Sequence, residues 1–244
     1  LGEASGIVIA HLIKSNTTLT QLDLGGNSLG AETGRAMVEA LKVNTKLASL
    51  AVDGQALLIR QLTGAGAIKS IDLSKKELGE ASGIVIAHLI KSNTTLTQLD
   101  LGGNSLGAET GRAMVEALKV NTKLASLAVD GQALLIRQLT GAEAIKSIDL
   151  SKKELGEASG IVIAHLIKGN TTLTQLDLGG NSLGIESGKL LAEWLKSNTT
   201  LTQLDLGGNS LGGESGELLA EALQTNTTLT QLDLGGNSLG NESG

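Results

Sequence analysis

The chain has 244 residues, 41% of them apolar and 18% charged, with a net charge of −6, no cysteine and no proline. This is the balance of an ordered, soluble chain, and the acidic excess argues against nucleic acid, whose phosphates require concentrated Lys and Arg. Lack of cysteine excludes disulfides and thiolate metal sites and gives no sign of an oxidising compartment. No apolar run approaches the roughly 18 residues of a membrane span, and no basic, apolar leader is visible, so a cytoplasmic location away from membranes is expected.

Internal repetition dominates the chain. Residues 1–77 recur as 78–154, with Glu143 in the place of Gly66; a third copy starts at Leu155, carries Gly169 in the place of Ser92, and departs at Ile185. The chain enters midway through a repeat, and its last residues, 239–244, leave at the same phase. The first complete frame, LTQLDLGGNSL from Leu19 to Leu29, has the form LxxLxLxxNxL. Leu22 and Leu24 alternate with Gln21 and Asp23, the period-2 mark of a half-buried strand, and Gly25, Gly26 and Asn27 form a turn. Residues 31–43 then show helical spacing, with Met37 and Leu41 on one face. Asn44 follows, a residue type that tolerates the left-handed conformation that ends helices.

The frame restarts at Leu47, Ile68, Leu96, Leu124, Ile145, Leu173, Leu201 and Leu229, in steps of 28 or 21 residues. This predicts a single domain over 1–244 with nine strand units starting near 19, 47, 68, 96, 124, 145, 173, 201 and 229. The 21-residue units leave room only for a short helix, near 56–62 in the first of them. Trp194, the only aromatic residue, falls on a helix over 189–196 at the position of Leu12 and Ala40, which points to a helix–helix seam. No unit can bury its apolar face alone; stacked, the positions of Leu22, Leu24 and Leu29 form one continuous core behind a single parallel sheet.

LTQLDLGGNSLG followed by a helix, repeated at a 28-residue step, resembles the ribonuclease-inhibitor-like subfamily of leucine-rich repeats, and also the repeat arrays of nucleotide-sensing immune receptors and of microbial eukaryotes. The resemblance covers nearly the whole chain. It implies an α/β leucine-rich repeat solenoid that binds other proteins, with a ladder of turn asparagines bonded to the backbone. Asn27, Asn104, Asn181, Asn209 and Asn237 match that pattern; Gln55, Lys76, Gln132 and Lys153 interrupt it. Strands pair at about 4.8 Å and helices pack at about 8–10 Å. The stack should therefore curve into an open horseshoe, with a parallel β-sheet on the concave face and helices on the convex face, flattened locally by the short units.

The chemistry-bearing motifs are weak. Residues 26–30 read G-x-S-x-G, the hydrolase nucleophile elbow, and the motif recurs at Ser105, Ser182, Ser210 and Ser238. A nucleophilic serine needs a base, and the three histidines, His11, His88 and His165, fall on the outer helices as solvated residues about 30 Å apart. No enzyme, metal or other cofactor is expected. Residues 25–30 hold a G-x-x-x-x-G spacing that lacks the Lys of a phosphate loop. The sequons at Asn16, Asn93, Asn170, Asn198, Asn226 and Asn241 read as helix-to-strand loops.

The inner strand face carries more. Its candidate partner-binding residues are Gln21, Asp23, Asp72, Gln98, Asp100, Asp149, Gln175, Asp177, Gln203, Asp205, Gln231 and Asp233. The last four aspartates lie on consecutive strands, where mutual repulsion should raise their pKa values. Either neighbouring Thr and Gln side chains satisfy them, or the column attracts a basic protein surface or a cation. The expected function is a non-enzymatic scaffold that binds another protein through the concave face. The near-identical 77-residue copies, the missing proline and the uniform inner face also fit an engineered or consensus-like array without a native ligand. The alternative is a structural unit that self-assembles into a homo-oligomer, head to tail, through uncapped ends and an open strand edge.

Overall fold

The structure, a computed structural model, describes residues 2–240. The chain forms two compact units, Leu1–Leu124 and Ala125–Gly244.

In the first unit the order is α1 (Glu3–Ser15), β1 (Gln21–Asp23), α2 (Ala31–Leu41), β2 (Ser49–Ala51), β3 (Leu57–Leu58), α3 (Ile59–Leu62), β4 (Ser70–Asp72), α4 (Glu80–Ile90), β5 (Gln98–Asp100) and α5 (Ala108–Leu118). β1 pairs with β2, and β4 with β5, in parallel and in frame: Leu22 faces Leu50, and Ile71 faces Leu99. The second unit runs β6 (Ser126–Ala128), β7 (Leu134–Leu135), α6 (Ile136–Leu139), β8 (Ser147–Asp149), α7 (Glu157–Leu166) with a 3-10 turn at Ile167–Gly169, β9 (Gln175–Asp177), α8 (Gly184–Ser197), β10 (Gln203–Asp205), α9 (Gly212–Thr225) and β11 (Gln231–Asp233). Here β8, β9, β10 and β11 form a four-stranded parallel ladder, with Leu176, Leu204 and Leu232 in register. In both units the long helices pack on one another in chain order, α2 directly on α4.

The single unbroken parallel sheet expected from the sequence is not what forms. In each 21-residue unit the segment after the strand turns back and pairs antiparallel with it. Leu57 faces Leu50 and Leu134 faces Leu127, so the ladder stops at β3 and at β7. The short helix shrinks accordingly, to four residues at Ile59–Leu62. The reason is spatial. Leu57 is fully buried, and placing it in the core brings its backbone against the free edge of β2. A turn contact bridges the gap instead. Gln55 N–H donates to the Lys76 carbonyl (3.0 Å), and Gly54, at φ +53°, packs so closely that a Cβ would lie 2.4 Å from the carbonyl oxygens of Lys76 and Glu77.

The core is almost purely aliphatic, with Leu50, Leu99, Leu127, Leu176 and Leu204 buried behind the strands. Burying each such side chain contributes roughly 1.5–3 kcal/mol. Leu22 and Leu232, on strands paired along one edge only, are half-buried. Trp194 is buried at 3% exposure on α8, within the helix row.

Polar groups, as well as leucines, join the repeats. The asparagines after the helices do not adopt a left-handed conformation; Asn16, Asn198 and Asn226 are extended, with φ near −75°. Their side chains act instead. Asn121 accepts from the N–H groups of Lys123 and Leu124 and donates to the carbonyls of Ile90 (2.8 Å) and Asn93 (3.2 Å), one repeat back. Asn44, Asn93, Asn170 and Asn226 do the same. The turn asparagines form a second series. Asn104 donates to Leu101 and, one unit back, to Leu73, and it accepts from Lys76 and Leu78 N–H. Asn181 serves Lys153 and Leu155 likewise. The lysines that interrupt the asparagine pattern are thus bridged by the asparagine that follows them.

Helix N-termini are satisfied across repeats too. Among the described residues no helix is capped by a side chain at its own N-cap, which is glycine or leucine. A carboxylate from the preceding repeat takes over. Glu3 accepts from Gly30 and Thr33 N–H, Asp53 from Gly79 and Ser82, Glu80 from Glu109, Asp130 from Ser159, and Glu157 from Glu186. Negative charge there also meets the positive end of the helix dipole.

Asn121→Ala should cost about 2–3 kcal/mol, since it strands buried backbone groups of two repeats. Asn16→Ala, the same change where only local bonds are made, should cost less than about 1 kcal/mol. Urea denaturation of the two variants checks the difference.

Candidate functional site

Strand alternation turns Gln and Asp outward and the intervening Leu inward. In the second unit this places Asp149, Gln175, Asp177, Gln203, Asp205, Gln231 and Asp233 around one shallow depression of 470 Å³. Ser147 completes its rim. The sequence reading passed over Ser147, although it occupies the Gln position of its frame. A neighbouring depression of 330 Å³ is lined by Ser151, Lys152, Asp177, Gly179, Gly180, Asp205, Gly207 and Asp233, so Lys152 is the one cation at the border of the acidic face among these residues. In the first unit, Gln21 and Asp23 stand on β1 beside Ser49 and Ala51. Asp72, Gln98 and Asp100 stand together on β4 and β5.

The aspartates are satisfied by the backbone, not by neighbouring Thr and Gln side chains. Each accepts the N–H two residues on: Asp23 from Gly25, Asp100 from Gly102, Asp177 from Gly179, Asp205 from Gly207, Asp233 from Gly235, all at 2.8–2.9 Å. Asp72 and Asp149 take a hydroxyl as well, from Ser74 (2.6 Å) and Ser151 (2.7 Å). The expected upward pKa shift is corrected at Asp149, and Asp72, outside that column, behaves alike. The serine hydroxyl first, and then the serine N–H, hold both carboxyls below the ordinary aspartate value. These bonds favour the charged carboxylate, and at Asp149 they outweigh the desolvation that opposes it.

The remaining motifs take structural places. Ser28, Ser210 and Ser238 have φ of 50–55°, but Glu77 and Glu154 hold the same turn position at φ 57°, so the conformation belongs to the repeat turn and not to a serine. His11 bonds the carbonyl of Ile7 within its own helix. His88 is half-buried rather than solvated, and desolvation, followed by Lys42 and Lys91, depresses its pKa. Asn93 and Asn170 are buried and closed to glycosylation; Asn241 lies outside the described residues. No helix among the described residues is long and apolar enough to cross a membrane.

A profile described as leucine-rich repeat matches residues 15–38, 92–115, 169–192, 197–220 and 225–244. The chain carries leucine-rich repeats over these residues. Each match contains one turn asparagine, Asn27, Asn104, Asn181, Asn209 or Asn237. The leucine-rich repeat frames with Gln55, Lys76, Gln132 and Lys153 at that position fall outside the matches. No curated protein matches the chain. Among solved structures, leiomodin-1 actin-binding site 2 is similar at 16% identity over 72% of this chain and 74% of that one, with a TM-score of 0.29. The C-terminal domain of Caenorhabditis elegans tropomodulin is similar at 11% identity over 69% and 90%, with a TM-score of 0.34.

Ser151→Ala should raise the titration of Asp149 towards the ordinary value of 3.8, read from its carboxyl carbon by NMR. The sign follows from linkage. With the folded pKa below the unfolded one, the stabilisation is complete above the unfolded value and is lost as pH falls through the folded one. The serine variant should lose it at higher pH than the parent.

Proposed function

We propose that the chain is a non-catalytic scaffold that binds another protein through its strand face, with the second unit as the main contact. The supporting observation is the depression itself: seven Gln and Asp side chains from four adjoining strands face one shallow surface. Its aspartates are oriented by backbone bonds, yet Asp177 and Asp205 keep part of their surface in solvent. A carboxylate column of this kind complements a basic protein surface and steers its approach. The 28-residue step supports a place in the ribonuclease-inhibitor-like subfamily, and the near-identical 77-residue copies support a consensus-like or engineered origin.

A photo-crosslinker at Gln203 tests the scaffold reading. It should capture a basic protein from lysate, while the same probe at Glu193 on α8 does not. Asp177→Lys with Asp205→Lys should weaken that association at least tenfold, and added salt should weaken the parent's association. Equal capture from both faces, or binding indifferent to the charge reversal, would count against the reading.

A further inference from the structure

Charge is segregated in the first unit. The five segments that lead from a helix end towards a strand, residues 13–20, 42–48, 63–69, 91–97 and 119–124, hold seven lysines and no Asp or Glu. The acids gather mainly at the opposite ends of the repeats, as at Asp23, Asp53, Asp72 and Asp100. Hydrogen bonds join the five segments into one row. Asn44 donates to the Asn16 carbonyl (3.0 Å), Ile59 N–H to the Ala48 carbonyl (3.0 Å), Asn93 to the Leu62 carbonyl (2.9 Å) and Asn121 to the Asn93 carbonyl (3.2 Å). Lys14, Lys42, Lys91 and Lys119 stand at helix C-termini, where the helix dipole accounts for them. Lys46, Lys69 and Lys123 are exposed in the loops beyond, where it does not. Lys42 and Lys119 bond Glu39 and Glu116 at 2.5 Å; the other five have no ion pair among the described residues. Their fields overlap. His88 on α4, depressed first by desolvation, also feels Lys42 of α2 and Lys91. Glu39, held low first by its bond from Lys42, also feels Lys14 of α1.

Two of these loops carry an apolar tip between their lysines. Residues 42–46 and 119–123 both read Lys-Val-Asn-Thr-Lys, and Val43 and Val120 stand at 63% and 62% exposure. The corresponding residues after α1 and α4 are Ser15 and Ser92. Asn44 and Asn121 are buried and pin each loop, so the valines and the lysines beside them are held outward. α2 packs on α4 and α4 on α5, which sets the two valines two helix steps apart, about 16–20 Å. We propose that this edge of the first unit rests on a membrane surface rich in anionic lipid, with Val43 and Val120 entering the headgroup layer and the lysines on its phosphates. A diffuse layer of negative charge suits a row of lysines, each a strongly hydrated point charge, and shallow apolar insertion strengthens such a contact. A protein partner would be met by Trp, Tyr or Arg, and the five segments contain none. A nucleic acid would gain nothing from the valines. The surface is distinct from the strand face and stands independently of the function proposed there. The net charge of −6 averages over the segregation and hides it. Nor does the contact need a spanning helix, the feature on which the expected location away from membranes rested.

Cosedimentation of the full chain with vesicles tests the assignment. Binding to mixed phosphatidylserine and phosphatidylcholine vesicles should be at least tenfold tighter than to phosphatidylcholine alone, and should weaken as salt rises. Lys46→Glu with Lys123→Glu should weaken it at least tenfold. Lys75→Glu with Lys76→Glu, the same change of net charge in a strand-to-helix turn, should weaken it less than threefold. Val43→Ser with Val120→Ser should weaken it at least threefold; serine is the residue that the fold already carries at Ser15 and Ser92. Circular dichroism should be unchanged in every variant. Equal binding to the two kinds of vesicle, equal loss in the two lysine pairs, or serine variants that bind as the parent does would overturn the assignment. So would a preference, at equal phosphate, for duplex DNA over the mixed vesicles.

Discussion

A repeat in this chain cannot satisfy its own backbone. Its helix begins behind a glycine or leucine with no capping side chain, and its loops present amide and carbonyl groups that find no local partner. Buried backbone groups without partners are strongly disfavoured, so the neighbouring repeat must supply what is missing. Asn121 reaches back to Ile90 and Asn93, Asn104 to Leu73, and Glu80 reaches forward to the start of α5. The leucine frame puts apolar surface in the right place. These reciprocal bonds fix the distance and register at which two repeats meet.

Much of the fold was legible because leucine spacing is a direct readout of it. The strands stand two residues into each frame, and the alternation of Gln21, Leu22 and Asp23 told correctly which side chains point away from the core. What stayed hidden is non-local. Nothing in the short unit's sequence announced that Leu57 and Leu58 would fold back on β2; the apolar run suited a helix equally well. The role of Glu3 and Asp53 was hidden for a related reason. A glutamate in a first helical turn looks like an ordinary helix-dipole partner, and only the stacked neighbour shows that it caps the helix after its own.

The candidate site was legible in its composition and less so in its electrostatics. The sequence placed Asp149 and Asp177 on adjoining strands, and from this proximity alone repulsion seemed the governing effect. At Asp149 the turn that follows the strand changes the outcome. It returns an N–H to the carboxylate, and at Asp149 a hydroxyl as well. The residue two places on, Gly or Ser, therefore distinguishes one aspartate from another along an otherwise uniform face.

The cross-repeat carboxylates have a consequence for how order is lost. If one repeat frays, it withdraws the acceptor that held the first turn of the next helix, and that helix loses its anchor in turn. Within each compact unit, melting should run as a zip from an open flank inward, with nearest-neighbour coupling setting its pace. Amide hydrogen exchange would then form a gradient along the chain, slow at α4 and fast at α1, although the two helices have the same sequence.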